Sequence, residues 1–159
     1  MALWSKLKKA NAANTGDNAP DFEMTGTTGP GLKLSDLRGK KRAVLFFYPQ
    51  DCTSGCLAQL TEAGQYMDKF RELDTEPYGV NEAEAESHME FLDQLHIPFD
   101  LLVDRDFAVS RAYDALKPDQ DRISRTVVVV GKNGKVIFRA AGAPPATEIL
   151  REIANADDA

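Results

Sequence analysis

"AVLFFY", residues 43–48, constrains the fold more than any other stretch of this chain. It shows no polar alternation, so an extended segment here must be covered on both faces. That reads as a central strand. Pro49 ends it, because proline brings no N–H to a sheet ladder. "RTVVVV", 125–130, is a second such run. With "GKNGKVIFRAAG" it forms an antiparallel hairpin turned at Asn133-Gly134, a pair that accepts the positive φ of a tight turn. After Pro49 the spacing turns helical, with Cys56, Leu60, Ala63, Met67 and Phe70 on one face. "EPYGV" and "FDLLVD" (99–104) read as strands, and "EAEAESHMEFLDQL" (82–95), "DFAVSRAYDAL" and "PATEILREIANA" as helices. "APDFEMTGTTGPGLKLSDLRGK" carries two short apolar patches about "TGTTGPG" and reads as a hairpin.

The order is hairpin, strand, helix, strand, helix, strand, helix, two antiparallel strands, helix. Strands alternating with helices imply an α/β domain with a βαβ core, and the closing hairpin makes its central sheet mixed. A cysteine at the join of the central strand and its helix points to a thioredoxin-like fold. The 159 residues suit one domain. We expect it to span residues 16–159, after an N-terminal extension over 1–15, helical or disordered. Residues 11–20, polar and small, read as a linker. Leu3, Trp4 and Leu7 with Lys6, Lys8 and Lys9 could make a short amphipathic helix at a membrane surface, but one or two turns bind weakly, and a frayed extension is the plainer reading.

Net charge is −6 with no long basic block, which argues against a nucleic-acid partner. No apolar run reaches the roughly 18 residues needed to cross a bilayer, and the N-terminus lacks the apolar core of a secretory signal. The two cysteines cannot build a disulfide framework, so a reducing cytoplasm is expected.

Both cysteines fall in "PQDCTSGC", where the chain leaves the carboxyl end of the central strand, the place where α/β sheets collect function. Thr53 or Ser54 can cap the following helix. Cys56 then lies in its first turn, where free N–H groups and the dipole favour an anion. That position lowers a thiol pKa and makes a nucleophile available at neutral pH. Cys52 precedes the helix and gains less.

Pro49, Thr53 and Cys56 match the P-x-x-x-T-x-x-C signature of peroxiredoxins. "GDNAPDFEM", "LKLSDLRGK", "FLDQLHIPFDLLVDRDFAVSRAYDAL" and "SRTVVVVGKNGKVIFRAAG" resemble that family's other segments, so that roughly residues 16–153 are covered. The short chain resembles the bacterioferritin-comigratory (PrxQ-like) branch. The resemblance implies a thiol-dependent peroxidase for hydrogen peroxide and organic hydroperoxides, with no cofactor and no metal. Cys56 matches the peroxidatic cysteine that forms a sulfenic acid. Thr53 matches the hydroxyl that bonds thiolate and peroxide, Pro49 the residue that shields the pocket, and Arg125 the essential arginine. Gln59 matches a polar, supporting position. Thioredoxin or another external thiol is the expected reductant, and a monomer or weak homodimer the expected state.

The chain departs from that branch where recycling is concerned. Thr61 stands where many members carry a resolving cysteine. Cys52 replaces a usual apolar residue, and Ser54 a common proline. Cys52 can be an apolar filler in a one-cysteine enzyme, a resolving residue forming a Cys52–Cys56 disulfide, or a partner for another subunit. Plainer roles exist for the rest: a buried thiol for Cys56, a surface ion pair for Arg125, an N-cap for Thr53. C-x-x-x-C on this scaffold also resembles copper chaperones, since soft thiolates suit Cu(I). No histidine follows His96, however, and Thr53 and Arg125 would have no purpose there. A non-catalytic interaction module would not need Arg125. His88 and His96 read as ordinary surface or capping residues without zinc-finger spacing. "EAEAE" reads as a solvated helix face.

Overall fold

The computed structural model describes residues 14–49, 54–118 and 120–158, without the side chains of residues 54–57, 91, 92, 94 and 95. The N-terminal basic stretch, most of the expected extension, Cys52 and Thr53 lie outside the described residues. The first elements are β1 (Glu23–Met24) and β2 (Leu32–Lys33), paired antiparallel as the expected hairpin. A short 3-10 turn, Leu34–Leu37, leads to β3 (Arg42–Phe47). Then come α1 (Ser54–Gln65), α2 (Met67–Glu72), β4 (Thr75–Asn81), α3 (Ala85–Leu95) and β5 (Leu101–Val103). The chain ends with α4 (Ala108–Ala112), β6 (Thr126–Val130), β7 (Val136–Ala141) and α5 (Ala146–Ala154).

β3 is central, as its unbroken apolar run requires: the sheet order is β5-β4-β3-β6-β7. β4 runs parallel to β3, and β5 parallel to β4; β6 and β7 are antiparallel additions. The sheet is therefore mixed. Its two faces divide the side chains of β3. Val44, Phe46 and Tyr48 pack with Leu60 and Phe70 of the first two helices and with Ile149 and Ile153 of α5. Leu45 and Phe47 face the other way, onto Tyr113, Leu102 and Val128.

Some expected elements differ. The helical face from Leu60 to Phe70 is buried as the spacing predicts, yet the helix breaks at Tyr66, whose ψ of 15° leaves the helical region. The helix expected from "DFAVSRAYDAL" shrinks to α4. Buried Asp104 is the reason: its carboxylate accepts the Val109 and Ser110 N–H groups at 2.9 and 2.7 Å. This cap starts the helix only after Asp106 and Phe107, both at positive φ. The later part of the linker is docked. Gly16 and Ala19 donate to the carbonyls of Val136 and Gly134, so the segment covers the free side of the edge strand β7.

Gly26 is required in the β1–β2 loop. A Cβ there would lie 2.0 Å from Asp100 Oδ2. The same aspartate holds the loop by accepting the Thr27 and Thr28 N–H groups through Oδ1, at 2.8 and 3.1 Å.

Candidate active site

The antiparallel register of β3 and β6 pairs Phe47 with Thr126. One residue further along stand Tyr48 and Arg125, and after Tyr48 comes Pro49. Arg125 is thus fixed beside the strand end from which the chain passes to α1. Its backbone is held there, because the Gly142 N–H donates to the Arg125 carbonyl at 2.9 Å. Gln59 closes the arrangement from the helix side: its Nε2 donates to the Gly142 carbonyl at 3.5 Å. Glu62, one turn on, accepts the Ala146 N–H at 2.6 Å and ties α1 to the start of α5. Two side chains of α1 therefore lock that helix to the segments beside Arg125.

Cys56 is the third residue of α1, so its backbone sits in the first turn. Pro49 and Arg125 are both partly buried. Among the described residues the Arg125 guanidinium has no hydrogen bond or ion pair. The structure brings Pro49, Arg125, Gln59 and the helix start to one end of the sheet. Thr53 and Cys52 lie outside the described residues, as does the side chain of Cys56.

The strand end is also held from the other side. Asn81, 1% exposed at the end of β4, donates through Nδ2 to the Tyr48 carbonyl at 2.8 Å. Its Oδ1 accepts the Ala83 N–H at 2.7 Å, a side-chain turn that starts the path to α3. Tyr48 is 3% exposed, and burial, with the Glu82 carboxylate second, pushes its phenol well above the usual range. The phenol stays protonated.

Two sequence expectations fail here. His88 is no surface or capping residue: it is 2% exposed, with Nδ1 3.0 Å from Thr27 Oγ1 and Nε2 3.5 Å from Asn81 Oδ1. The expected solvated face begins too early, since Glu82 is partly buried and Ala83 buried, leaving Glu84 and Glu86 outside. His96 fits its expectation as an exposed residue directly after α3, at positive φ. Asn81 was missed by the sequence reading; the available signal was an asparagine ending an apolar strand two residues before a turn.

Residues 15–139 match the model of the AhpC/TSA family. The chain belongs to that family. Peroxiredoxin Bcp of Bacillus subtilis (strain 168) is 35% identical over 128 residues, spanning 77% of this chain and 81% of that protein. The crystal structure of peroxidoxin BcpB from Mycobacterium tuberculosis superposes with a TM-score of 0.79 at 24% identity, covering 88% of this chain and 96% of that one. A Xylella fastidiosa PrxQ mutant gives the same TM-score at 23% identity, over 89% and 95% of the two chains. The thioredoxin-like fold is borne out. So is the expectation of a thiol-dependent peroxidase of the peroxiredoxin group, which the copper-chaperone and interaction-module readings do not match. Among the described residues, no helix of this AhpC/TSA protein is long and apolar enough to cross a membrane.

Proposed function

We propose that Cys56 is the peroxidatic nucleophile and that Arg125, Thr53 and Pro49 complete its site. The observation that carries this is the meeting of Arg125, Pro49 and the N-terminus of α1 at one end of the sheet. The Cys56 thiolate attacks the terminal peroxide oxygen, the S–O bond forms as the O–O bond breaks, and the leaving oxygen takes a proton. Hydrogen peroxide yields water, and an organic hydroperoxide yields an alcohol. Cys56 is left as a sulfenic acid. Arg125 favours the thiolate and stabilises charge developing on the leaving oxygen, which a fixed guanidinium does through its planar fork of donors. Thr53 donates its hydroxyl at the same place, and Pro49 keeps water from the sulfur.

Recycling is by an external thiol, thioredoxin or a small thiol. One thiol displaces water from the sulfenic acid to give a mixed disulfide, and a second thiol releases Cys56. Cys52 acts as a filler in this one-cysteine cycle. Cys56 lies in the first turn of α1, a setting that activates its thiol toward peroxide. The setting is the cytoplasm, the protein acts as a monomer or weak homodimer, and residues 1–15 are an extension outside the catalytic domain.

Intact mass after one equivalent of peroxide, without added thiol, tests the cycle. A gain of one oxygen on Cys56, or progression to sulfinic acid, is expected. A loss of two hydrogens in the monomer, absent in Cys52→Ser, would make Cys52 a resolving residue instead.

A further inference from the structure

His88 is a buried titratable side chain with no part in the chemistry above. Its Nδ1 lies 3.0 Å from Thr27 Oγ1. That hydroxyl has one proton, and its shorter bond, 2.7 Å, runs to the Leu101 carbonyl. Thr27 Oγ1 therefore accepts from the ring. Nδ1 thus carries the proton of the neutral imidazole.

The other nitrogen, Nε2, faces Asn81 Oδ1 at 3.5 Å. Asn81 cannot turn its NH₂ toward the ring. Its Oδ1 is committed to the Ala83 N–H and its Nδ2 to the Tyr48 carbonyl. A neutral His88 therefore points a lone pair at a carbonyl oxygen, and a protonated His88 donates to it. The charged groups facing the ring are Asp100, before β5, and Glu84, before α3. Asp100 Oδ2 is buried with no hydrogen-bond partner among the described residues. At the Tyr48 end the titratable groups are its own phenol and Glu82. Burial outweighs the acceptors and the two carboxylates and holds the His88 pKa below its ordinary value. The ring is neutral at pH 7 and gains its second proton only in acid.

We propose that His88 is a proton-responsive positioning residue: on taking a proton at Nε2 it donates to Asn81 Oδ1 and tightens the grip of the Asn81 amide on the Tyr48 carbonyl at the end of β3. An amide whose oxygen gains a donor becomes a stronger donor at its nitrogen. The relay runs from the β1–β2 loop, through α3 and β4, to the strand end that precedes Pro49. Its consequence for catalysis rests on the reading of that strand end as the peroxide site.

Nuclear magnetic resonance of the intact protein between about pH 8 and pH 4 tests the relay across the histidine range. Expected are an Nδ1–H tautomer for neutral His88, a midpoint below that of an exposed histidine, and shifts of the Asn81 NH₂ and Tyr48 carbonyl signals with that same midpoint. In His88→Gln, whose amide can donate to Asn81 at every pH, both signals should stay at their acid-side positions. The ratio of wild-type to variant peroxide rate should change across the ring's titration and be flat above it. An Nε2–H tautomer, or Asn81 and Tyr48 signals that stay fixed or follow a different midpoint, would overturn the relay. Those wild-type signals decide the matter even if His88→Gln fails to fold. Absence of peroxide turnover with the titration intact would overturn the peroxide-site reading and leave the relay standing.

Discussion

Arg125 sits one residue before β6, where the sheet fixes its backbone and its guanidinium has no partner among the described residues. A charge in that position is either idle or directed at chemistry. Arg125→Ala should slow the reaction of Cys56 with peroxide by about 10²–10³, the usual effect of removing one oriented donor from a developing oxyanion. Thermal unfolding should hardly change, since that side chain makes no hydrogen bond or ion pair to the described residues. Stopped-flow measurement with hydrogen peroxide checks it, and a change below about threefold would make Arg125 a bystander. Arg125 was legible in the sequence because it abuts the unmistakable strand "TVVVV". His88 was not. Its helix reads as polar at that position, and its burial comes from Thr27 and Leu101, which only the folded chain brings near.

The strands were readable for one reason: β3 and β6 are covered on both faces, and only unbroken apolar runs satisfy that. Helix limits were less readable, because tertiary partners set them. Asp104 fixes where α4 begins, and nothing in the local spacing announces it. α1 is the element that carries Cys56 in its backbone, and Leu60, 0% exposed, anchors it to the sheet. Leu60→Ala should lower stability by about 2–5 kcal/mol, as expected for a buried leucine. Denaturant unfolding measures that loss, and peroxide reactivity should fall with it as the helix start loosens. In the β1–β2 hairpin, Gly26→Ala should be as harmful as a core truncation, although it adds one methyl group. The added Cβ meets the loop's own backbone at Gly29 O and Gly31 N, each at 2.7 Å, besides Asp100, which holds the loop closed. Denaturant unfolding compares Gly26→Ala with Leu60→Ala, and an unchanged midpoint in Gly26→Ala would show that the loop absorbs the methyl group.

Across the whole molecule, the end of the sheet opposite the site is closed by the chain's last described residue. Asp158, 2% exposed, takes two bonds from Arg42 at the start of β3, at 2.7 and 2.8 Å, and one from the Lys132 N–H at 2.9 Å. Local spacing does not announce this clasp, because Arg42 and Asp158 meet only in the folded chain. The Arg42 guanidinium holds the Asp158 carboxyl below the ordinary carboxylate range. Its contribution to stability is therefore fully present above that range and is lost as pH falls through the lowered, folded-state value. Asp158→Asn should lose about 1.5–3 kcal/mol at neutral pH, because partly buried Arg42 loses its counter-charge. The gap between wild type and variant in thermal unfolding should narrow in acid. Peroxide reactivity at pH 7 should be unaffected, because the clasp and the site lie at opposite ends of β3. The proposed cycle depends on one sulfur. Single-turnover peroxide consumption should be compared in the wild type, Cys56→Ser and Cys52→Ser. Consumption should vanish in Cys56→Ser and stay near the wild-type rate in Cys52→Ser; loss in Cys52→Ser with retention in Cys56→Ser would make Cys52 the nucleophile instead.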